Sequence, residues 1–256
     1  MKNYLYSIGA IANVEIHKLA RDPTEILSRA IQPILWLTIF GQVFSQVRGI
    51  PTGSLGYLDY MAPGILAQSI LFSSIFYGIA VIWERDLGIV HKLLVTPAPR
   101  SSLVLGKATG AGIRGLLQAL LVYLIATVLG IHISWTPDAI LLVLTSVFLG
   151  ACIFSTFSLF IACVVKTRER FMGIGQVLTM PLFFASNAIY PMELMPPWLR
   201  TIANFNPLTY LVDALRGEMV IGGTSHFALS LSFGIMLLVF TILTAATAKI
   251  YPSLAH

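Results

Sequence analysis

From Ala139 to Val165 the chain reads AILLVLTSVFLGACIFSTFSLFIACVV, without one charged residue. A run of that length constrains the fold more than any other feature. Crossing about 30 Å of hydrocarbon takes roughly 20 apolar residues in a helix. Inside lipid every backbone polar group must find its partner within the segment or a closed barrel. A small barrel needs alternating strands of about ten residues, and this run is continuous instead. Composition agrees: 11% of the residues are charged and 57% hydrophobic, whereas soluble domains carry about 25% charge. The sequence therefore predicts an all-α integral membrane protein.

Six spans are expected, near 28–47, 60–83, 103–129, 138–165, 171–190 and 226–249. The start, MKNYLYSIGAIANVEIHKLARD, lacks the compact apolar core and small-residue site of a cleavable signal. Basic residues divide unevenly among the connections. Lys2, Lys18, Arg21, Arg29, Arg85, Lys92, Arg100, Lys107, Lys166, Arg168, Arg170 and Lys249 fall on one side, and Arg48, Arg200 and Arg216 on the other. The positive-inside rule then puts both termini in the cytoplasm, in a cell membrane. It also accounts for the net charge of +5 without nucleic acid. Cys152 and Cys163 share one span, and no Cys/His cluster has metal-ligand spacing.

Residues 1–22 read as an interfacial helix. Wound at 100° per residue, Tyr4, Leu5, Ile8, Ile11, Ile16 and Leu19 fall on one face and Ser7, Asn13, His17, Lys18 and Arg21 on the other, with Glu15 as an intruder. Pro23 suits the first turn of a new helix. Residues 190–223 are too apolar for an ordinary loop and are expected to form two short re-entrant helices, one opened by Pro196-Pro197, the other capped by Asn206 with Pro207 first.

The segment 84–100 breaks the oily pattern. As a helix it places Leu87, Ile89, Val90, Leu93 and Leu94 on an arc of roughly 160°, opposite Glu84, Arg85, His91 and Lys92, with Asp86 on the apolar side. Thr96-Pro97-Ala98-Pro99 stops it, and Ser101 or Ser102 is the expected cap of the next span. Two readings stand: a connector lying on lipid, or a docking helix whose apolar ridge, rimmed by Glu84, Arg85 and Lys92, meets a partner.

At this point the chain resembles a family. ERDLGIVHKLLVTPAPRSSLVLGK is similar to the coupling-helix region of ABC type-2 exporter permeases, the class that serves daunorubicin resistance, Nod-factor export and O-antigen export. YLDYMAPGILAQS resembles that family's aromatic-x-x-Pro-Gly entry to the second span, and NFNPLTYLVDALRG its Asn-Pro-x-x-Tyr…Arg-Gly segment before the last one. The order of elements agrees along nearly the whole chain, read as a single transmembrane domain, 1–256. The resemblance implies a non-enzymatic permease subunit, working with a second permease subunit and with separate ATPase subunits that carry ATP and Mg. The chain has no GxxxxGK[ST] loop of its own. The family's mechanism assigns ATPase coupling to Glu84, Arg85, Asp86, Leu87, Val90, His91, Lys92, Leu94 and Pro97. An ion-gradient-driven transporter or channel is the alternative, although the acidic residues sit at span ends or in loops.

A substrate path is sought among Phe72, Phe76, Tyr77, Phe183, Phe184, Tyr190 and Trp198, residues that equally suit packing or interface anchoring. Lys107 and Arg114, seven apart on one side of the third span, either snorkel to headgroups or attract an anionic lipid or substrate headgroup. At the outer side Glu193 and Arg200 are expected to close a mouth, and Asp213 and Arg216, three apart, to pair. Together with Asn206, Pro207 and Tyr210 they form the expected outer gate. Gln32, Gln68, Gln118, Gln176 and Asn187 are expected to make inter-helix hydrogen bonds, and Gly106, Gly110 and Gly115 close helix contacts.

Overall fold

The computed structural model describes residues 2–21, 23–45, 55–96, 98–165 and 167–255. Arg48, Pro97 and Lys166, used in the sequence reading, lie outside them. Helices follow one another: α1 (Lys2–Arg21), α2 (Pro23–Leu35), a π-helical stretch (Trp36–Gly41), α3 (Gln42–Ser45), α4 (Tyr57–Asp86), α5 (Ile89–Val95), α6 (Arg100–Val128), α7 (Pro137–Val164), α8 (Arg168–Phe184), α9 (Pro197–Phe205), α10 (Pro207–Met219) and α11 (Leu229–Ile250). Short 3-10 turns cover Met192–Leu194 and Tyr251–Ala255. The described residues contain no strand, only an isolated bridge between Ile133 and Val220.

Among the described residues four helices are long and apolar enough to cross a membrane: Tyr57–Asp86, Arg100–Val128, Pro137–Val164 and Leu229–Leu254. The other two expected spans fall on less regular helix. Pro33 lies inside α2, just before the π-helical stretch, and Pro181 lies inside α8, which has 17 residues. Proline lacks an amide proton and frees the carbonyl four residues earlier. For Pro33 that carbonyl belongs to Arg29, and Gln118 of α6 donates to it at 3.4 Å. The expected inter-helix role of Gln118 thus has a specific cause: it replaces the donor that Pro33 lacks.

The core forms around α4 and α7. Every residue from Tyr60 to Leu71 is buried, and α7 lies against α4, α6, α10 and α11. α11 is different: Leu231, Leu237, Leu238 and Ile242 are exposed. A helix apolar all round whose outward face meets no protein suits contact with lipid.

α1 lies along α6 rather than resting on its apolar face alone. A Cβ at Gly106 would stand 2.7 Å from Ile11 Cβ, and one at Gly110 would stand 2.6 Å from Glu15 Cβ. Only a glycine stripe admits a helix that close. The faces of α1 therefore differ from the expectation: Ala12, Glu15 and Leu19 are buried, while Leu5, Tyr6, Val14 and Ile16 are exposed.

Candidate coupling site and transport surfaces

α4 ends in a glycine turn. Leu87 N–H donates to Trp83 O at 3.0 Å, Gly88 N–H to Arg85 O at 2.8 Å, and Gly88 adopts φ 71°. That left-handed conformation is cheap only for glycine, and it turns the chain from α4 into α5. α5 ends at Thr96, whose Oγ1 donates to Leu93 O at 2.6 Å. The cap of α6 is Pro99, not Ser101 or Ser102; the Ser102 hydroxyl donates to Pro99 O at 2.6 Å.

The apolar ridge of this segment is divided between the chain's own core and its surface. Val90 is fully buried, sharing a cluster with Leu103, Val104, Tyr251 and Leu254, and Leu93 and Leu94 pack against that cluster. Leu87, Ile89 and Val95 remain 68%, 39% and 86% exposed. They form the free apolar surface, beside exposed His91 and Lys92. Val90 and Leu94 therefore hold α5 in place more than they present it outward. Asp86, at the turn, takes Arg85 Nη2 at 2.8 Å and Arg168 Nη2 at 2.6 Å, and the Arg168 guanidinium stacks over Trp83 at 3.6 Å. These partly exposed pairs tie the turn to the start of α8, each with a modest contribution.

Glu84 corrects the expectation of a charged rim. It is buried and faces inward, where its carboxylate takes Lys107 Nζ at 2.6 Å and Lys18 Nζ at 2.6 Å. Glu15, 2% exposed, takes Lys18 at 3.1 Å, Lys107 at 3.3 Å and Arg114 at 3.1 Å. The Tyr77 ring lies beneath, 5.8 Å from Lys107 Nζ and 5.0 Å from the Arg114 guanidinium. Burial alone raises the Glu15 carboxyl, but Lys107, Lys18 and Arg114 together hold it below its usual range. Burial likewise lowers Lys18, yet Glu84 and Glu15 leave its ammonium above its usual range. Neither snorkelling nor attraction of a headgroup describes Lys107: it bridges α1 and the last turn of α4, just before α5. Sequence reasoning missed Glu15 and Lys18. The signal was present in the acidic intruder on the apolar face of α1, which needed two buried cations on a neighbouring helix.

The expected substrate path separates into two places. Phe76, Tyr77 and Arg114 line a cleft of ≈ 420 Å³ with Lys18, Arg29, Trp83 and Glu84. Phe72 lies one turn along α4, its ring 6.4 Å from that of Phe76. Phe184, Tyr190 and Trp198 line an apolar groove of ≈ 740 Å³ between α8 and α9, together with Leu178, Ile202 and Phe205. Phe183 is instead buried, edge-on to Trp36 at 5.8 Å.

At the end of α4 opposite α5, the expected gate residues take other partners. Asn206 caps α10, accepting Leu208 N–H at 3.0 Å while its Nδ2 donates to Leu182 O at 2.7 Å, and Pro207 is the first helical residue. Tyr210 donates to Asn204 O at 2.6 Å. Asp213 and Arg216 do not pair. Asp213 accepts the backbone N–H groups of His226 and Phe227 at 2.7 and 2.8 Å, and Arg216 donates to the carbonyls of Tyr60 and Asn187. Burial raises the Asp213 carboxyl against the pull of those two amides, and lowers Arg216. Glu193 and Arg200 do not close on each other through their side chains: Arg200 donates to the backbone carbonyls of Met192 and Glu193, and the Glu193 carboxylate faces His226 Nδ1 at 3.5 Å. Three-residue spacing put Asp213 and Arg216 on one helix face, but nearer backbone groups claimed each of them. Among the described residues no group of three His, Cys, Asp or Glu could hold a metal ion.

Comparison with known proteins gives a consistent set. Residues 6–220 match the family model described as ABC-2 type transporter. A putative transport permease, ycf38, of Cyanophora paradoxa is 32% identical over 203 residues, 78% of this chain and 69% of that protein. A daunorubicin resistance ABC transporter permease protein, DrrB1, of Streptomyces coeruleorubidus is 23% identical over 80% of this chain and 71% of its own length. Nodulation protein J of Bradyrhizobium diazoefficiens is 24% identical over 80% of this chain and 77% of its own.

Proposed function

The chain belongs to the ABC-2 type transporter family, and on that premise we propose that it exports an amphipathic, lipid-linked or drug-like substrate, with α5 receiving the stroke of a partner ATPase. It is a multi-pass membrane protein and a transporter subunit, not the ATP-hydrolysing one. ATP and Mg belong to the partner. The observation that carries the reading is α5 with the turn before it: exposed Ile89 and Val95 on a helix anchored from behind by Val90, and exposed Leu87 at the turn from α4, a triad of apolar side chains. A partner groove that covers the triad gains apolar contact, and the anchored back of α5 passes the push into α4 and α6.

Six crossings complete the proposed topology. The helical run from Pro23 to Ser45 and α8 supply the two that join the four long helices. An even count puts both termini on the basic, cytoplasmic side of a prokaryotic cell membrane. α9 and α10 then dip from the outer side, and the apolar groove beside Trp198 opens there. A second permease copy or a close paralogue completes the route, with the cleft at Phe76 and Tyr77 at its inner end. The names of the relatives, daunorubicin resistance and nodulation, are consistent with amphipathic cargo.

The test is co-purification and reconstitution with the partner ATPase, using the wild type and a Leu87→Asp/Ile89→Asp/Val95→Asp variant. The reading requires that the variant keep its fold and lose both ATPase binding and ATP-driven transport. Transport driven by an ion gradient with no ATPase present would instead establish the secondary-transporter alternative.

A further inference from the structure

α8 is held to the bundle by one stripe. Phe171, Gly175, Thr179 and Phe183, one residue per turn, are buried. The main contact is with α4, where the Phe171 ring packs on Gly78 and Ile75 stands 3.5 Å from the place of a Cβ at Gly175. Beyond the stripe, the last two turns of α8 form one wall of the groove of ≈ 740 Å³ whose other wall is α9. A helix ends on four carbonyls that have no partner inside it. Here each of the four finds a donor nearby. Pro181 O takes Ala185 N–H at 2.8 Å, Leu182 O takes Asn206 Nδ2 at 2.7 Å, Phe183 O takes the Ser186 hydroxyl at 2.7 Å, and Phe184 O takes the Tyr190 hydroxyl. Asn206 and Tyr190 both line the groove, so its own side chains quench the helix end. Thr201, also on the lining, donates to Pro197 O of its own helix at 3.0 Å.

This chemistry selects what fills the groove. Among the described residues no lining side chain carries a charge, so nothing there holds an ion. A polar group brought in would give up water and meet lining hydroxyls and amides that already have partners. Another helix also fits poorly. Helices that meet in lipid use small residues for close approach and polar side chains as glue, whereas this lining is bulky, with Leu182, Phe184, Ile202 and Phe205. The features a neighbouring helix would use lie at exposed Gly173 and Gln176, on the opposite side of α8 when it is wound at 100° per residue. α9 shows Trp198, Ile202 and Phe205, spaced four and three apart and all exposed, the apolar stripe of a helix that lies in a membrane interface. An indole such as Trp198 suits the headgroup level. The volume falls within the roughly 300–1,000 Å³ that accepts a drug-sized ligand, enough for a chain. We propose that the groove seats one acyl chain of a lipid from the surrounding bilayer. The inference rests on the proposed topology, which puts this end of α8 in the outer half of the membrane, and goes beyond it by naming the occupant.

The test uses the full chain with its ATPase in phosphatidylcholine nanodiscs that include phosphatidylcholine with a diazirine in one acyl chain. Adducts are mapped by peptide mass spectrometry. Illuminated in the bilayer, the groove segments 178–185 and 198–206 and the exposed Leu237 and Leu238 of α11 are all expected to label. Illuminated after extraction into dodecyl maltoside and washing, the groove is expected to keep its labelling and α11 to lose it. Thr201→Trp, which fills the groove from an exposed position, and Ile202→Asp, which sets an unpaired carboxylate in it, are each expected to abolish the retained labelling at an unchanged melting temperature. Where Ile202→Asp does not fold, Thr201→Trp decides. Groove labelling that washes out together with that of α11 means passing bilayer lipid only, and overturns the proposal. So does a groove left unlabelled in the bilayer while α11 and exposed Val177 label, the result expected if a second copy covers it, and so does retained labelling that survives Thr201→Trp. If no residue of α8 labels in the bilayer, the proposed topology and this inference fall together, a result distinct from the others. None of these outcomes bears on whether the ATPase binds α5.

Discussion

Replacing Glu15 by glutamine should destabilise this protein far more than replacing Lys107 by methionine, although each change removes one member of the same buried cluster. The reason is a charge count. Among the described residues the cluster holds two carboxylates, Glu15 and Glu84, that meet three cations, Lys18, Lys107 and Arg114, and Glu15 is the one that touches all three. Glu15→Gln removes the carboxylate that meets all three cations and leaves the buried Lys107 with Glu84 as its remaining partner, shared with Lys18. Removing one partner of a buried pair costs about 3–5 kcal/mol. Lys107→Met leaves two cations for two carboxylates, each still paired through Lys18 or Arg114, and its cost should stay near 1 kcal/mol, within the ordinary range for single substitutions. The double variant Glu15→Gln/Lys107→Met removes one charge of each sign, leaves the cluster's net charge as in wild type, and should recover roughly 1–3 kcal/mol of the Glu15→Gln loss. Thermal unfolding in nanodiscs reads these differences, at roughly 2–4 °C per kcal/mol for a chain of this size. The reasoning is refuted if Glu15→Gln melts within about 3 °C of wild type, or if the double variant is no more stable than the single.

Acid should loosen the same contact. The folded Glu15 carboxyl lies below its unfolded value of 4.5, so its contribution is complete above pH 4.5 and is lost as pH falls through the lower folded value; melting temperature against pH should show this loss in wild type and not in Glu15→Gln. Gly110→Val puts a side chain where Glu15 Cβ already stands 2.6 Å away, so α1 should lift from α6 at a cost of about 1–3 kcal/mol, seen as faster cysteine labelling at position 12. Asp213→Asn keeps one acceptor for the two amides of His226 and Phe227. It should cost about 1–3 kcal/mol and raise hydrogen exchange at residues 226–227 while leaving ATPase binding unchanged.

The long apolar runs could be read because lipid permits so few backbone solutions that length and continuity suffice. The starts of α9 and α10 could be read too, since Pro197 and the Asn206–Pro207 pair act through their own local geometry. Long-range choices could not. Nothing local says that Glu15 will lie against Gly110, or that Glu84 will turn inward to Lys107 instead of rimming α5; both follow from how three helices meet. The same limit applies to Asp213 and Arg216, where spacing on one helix suggested a pair and the backbone of neighbouring turns supplied better partners. Val90 and Leu94 had the right periodicity, but the pattern cannot tell which part of an apolar arc the chain's own core will take.

The central claim is that α5 meets the ATPase through Leu87, Ile89 and Val95. Full burial of an aliphatic side chain contributes about 1.5–3 kcal/mol, and every 1.4 kcal/mol is about tenfold in affinity, so an intimate contact is expected. The most direct measurement is site-specific cross-linking in the assembled transporter, with Val95→Cys at the exposed edge of α5 and Trp135→Cys beyond the far end of α6. Val95→Cys is predicted to cross-link to the ATPase subunit, with a yield that changes when ATP is added, and Trp135→Cys is predicted not to. A cross-link from Trp135→Cys, or none from Val95→Cys in an assembly that hydrolyses ATP, would contradict the account.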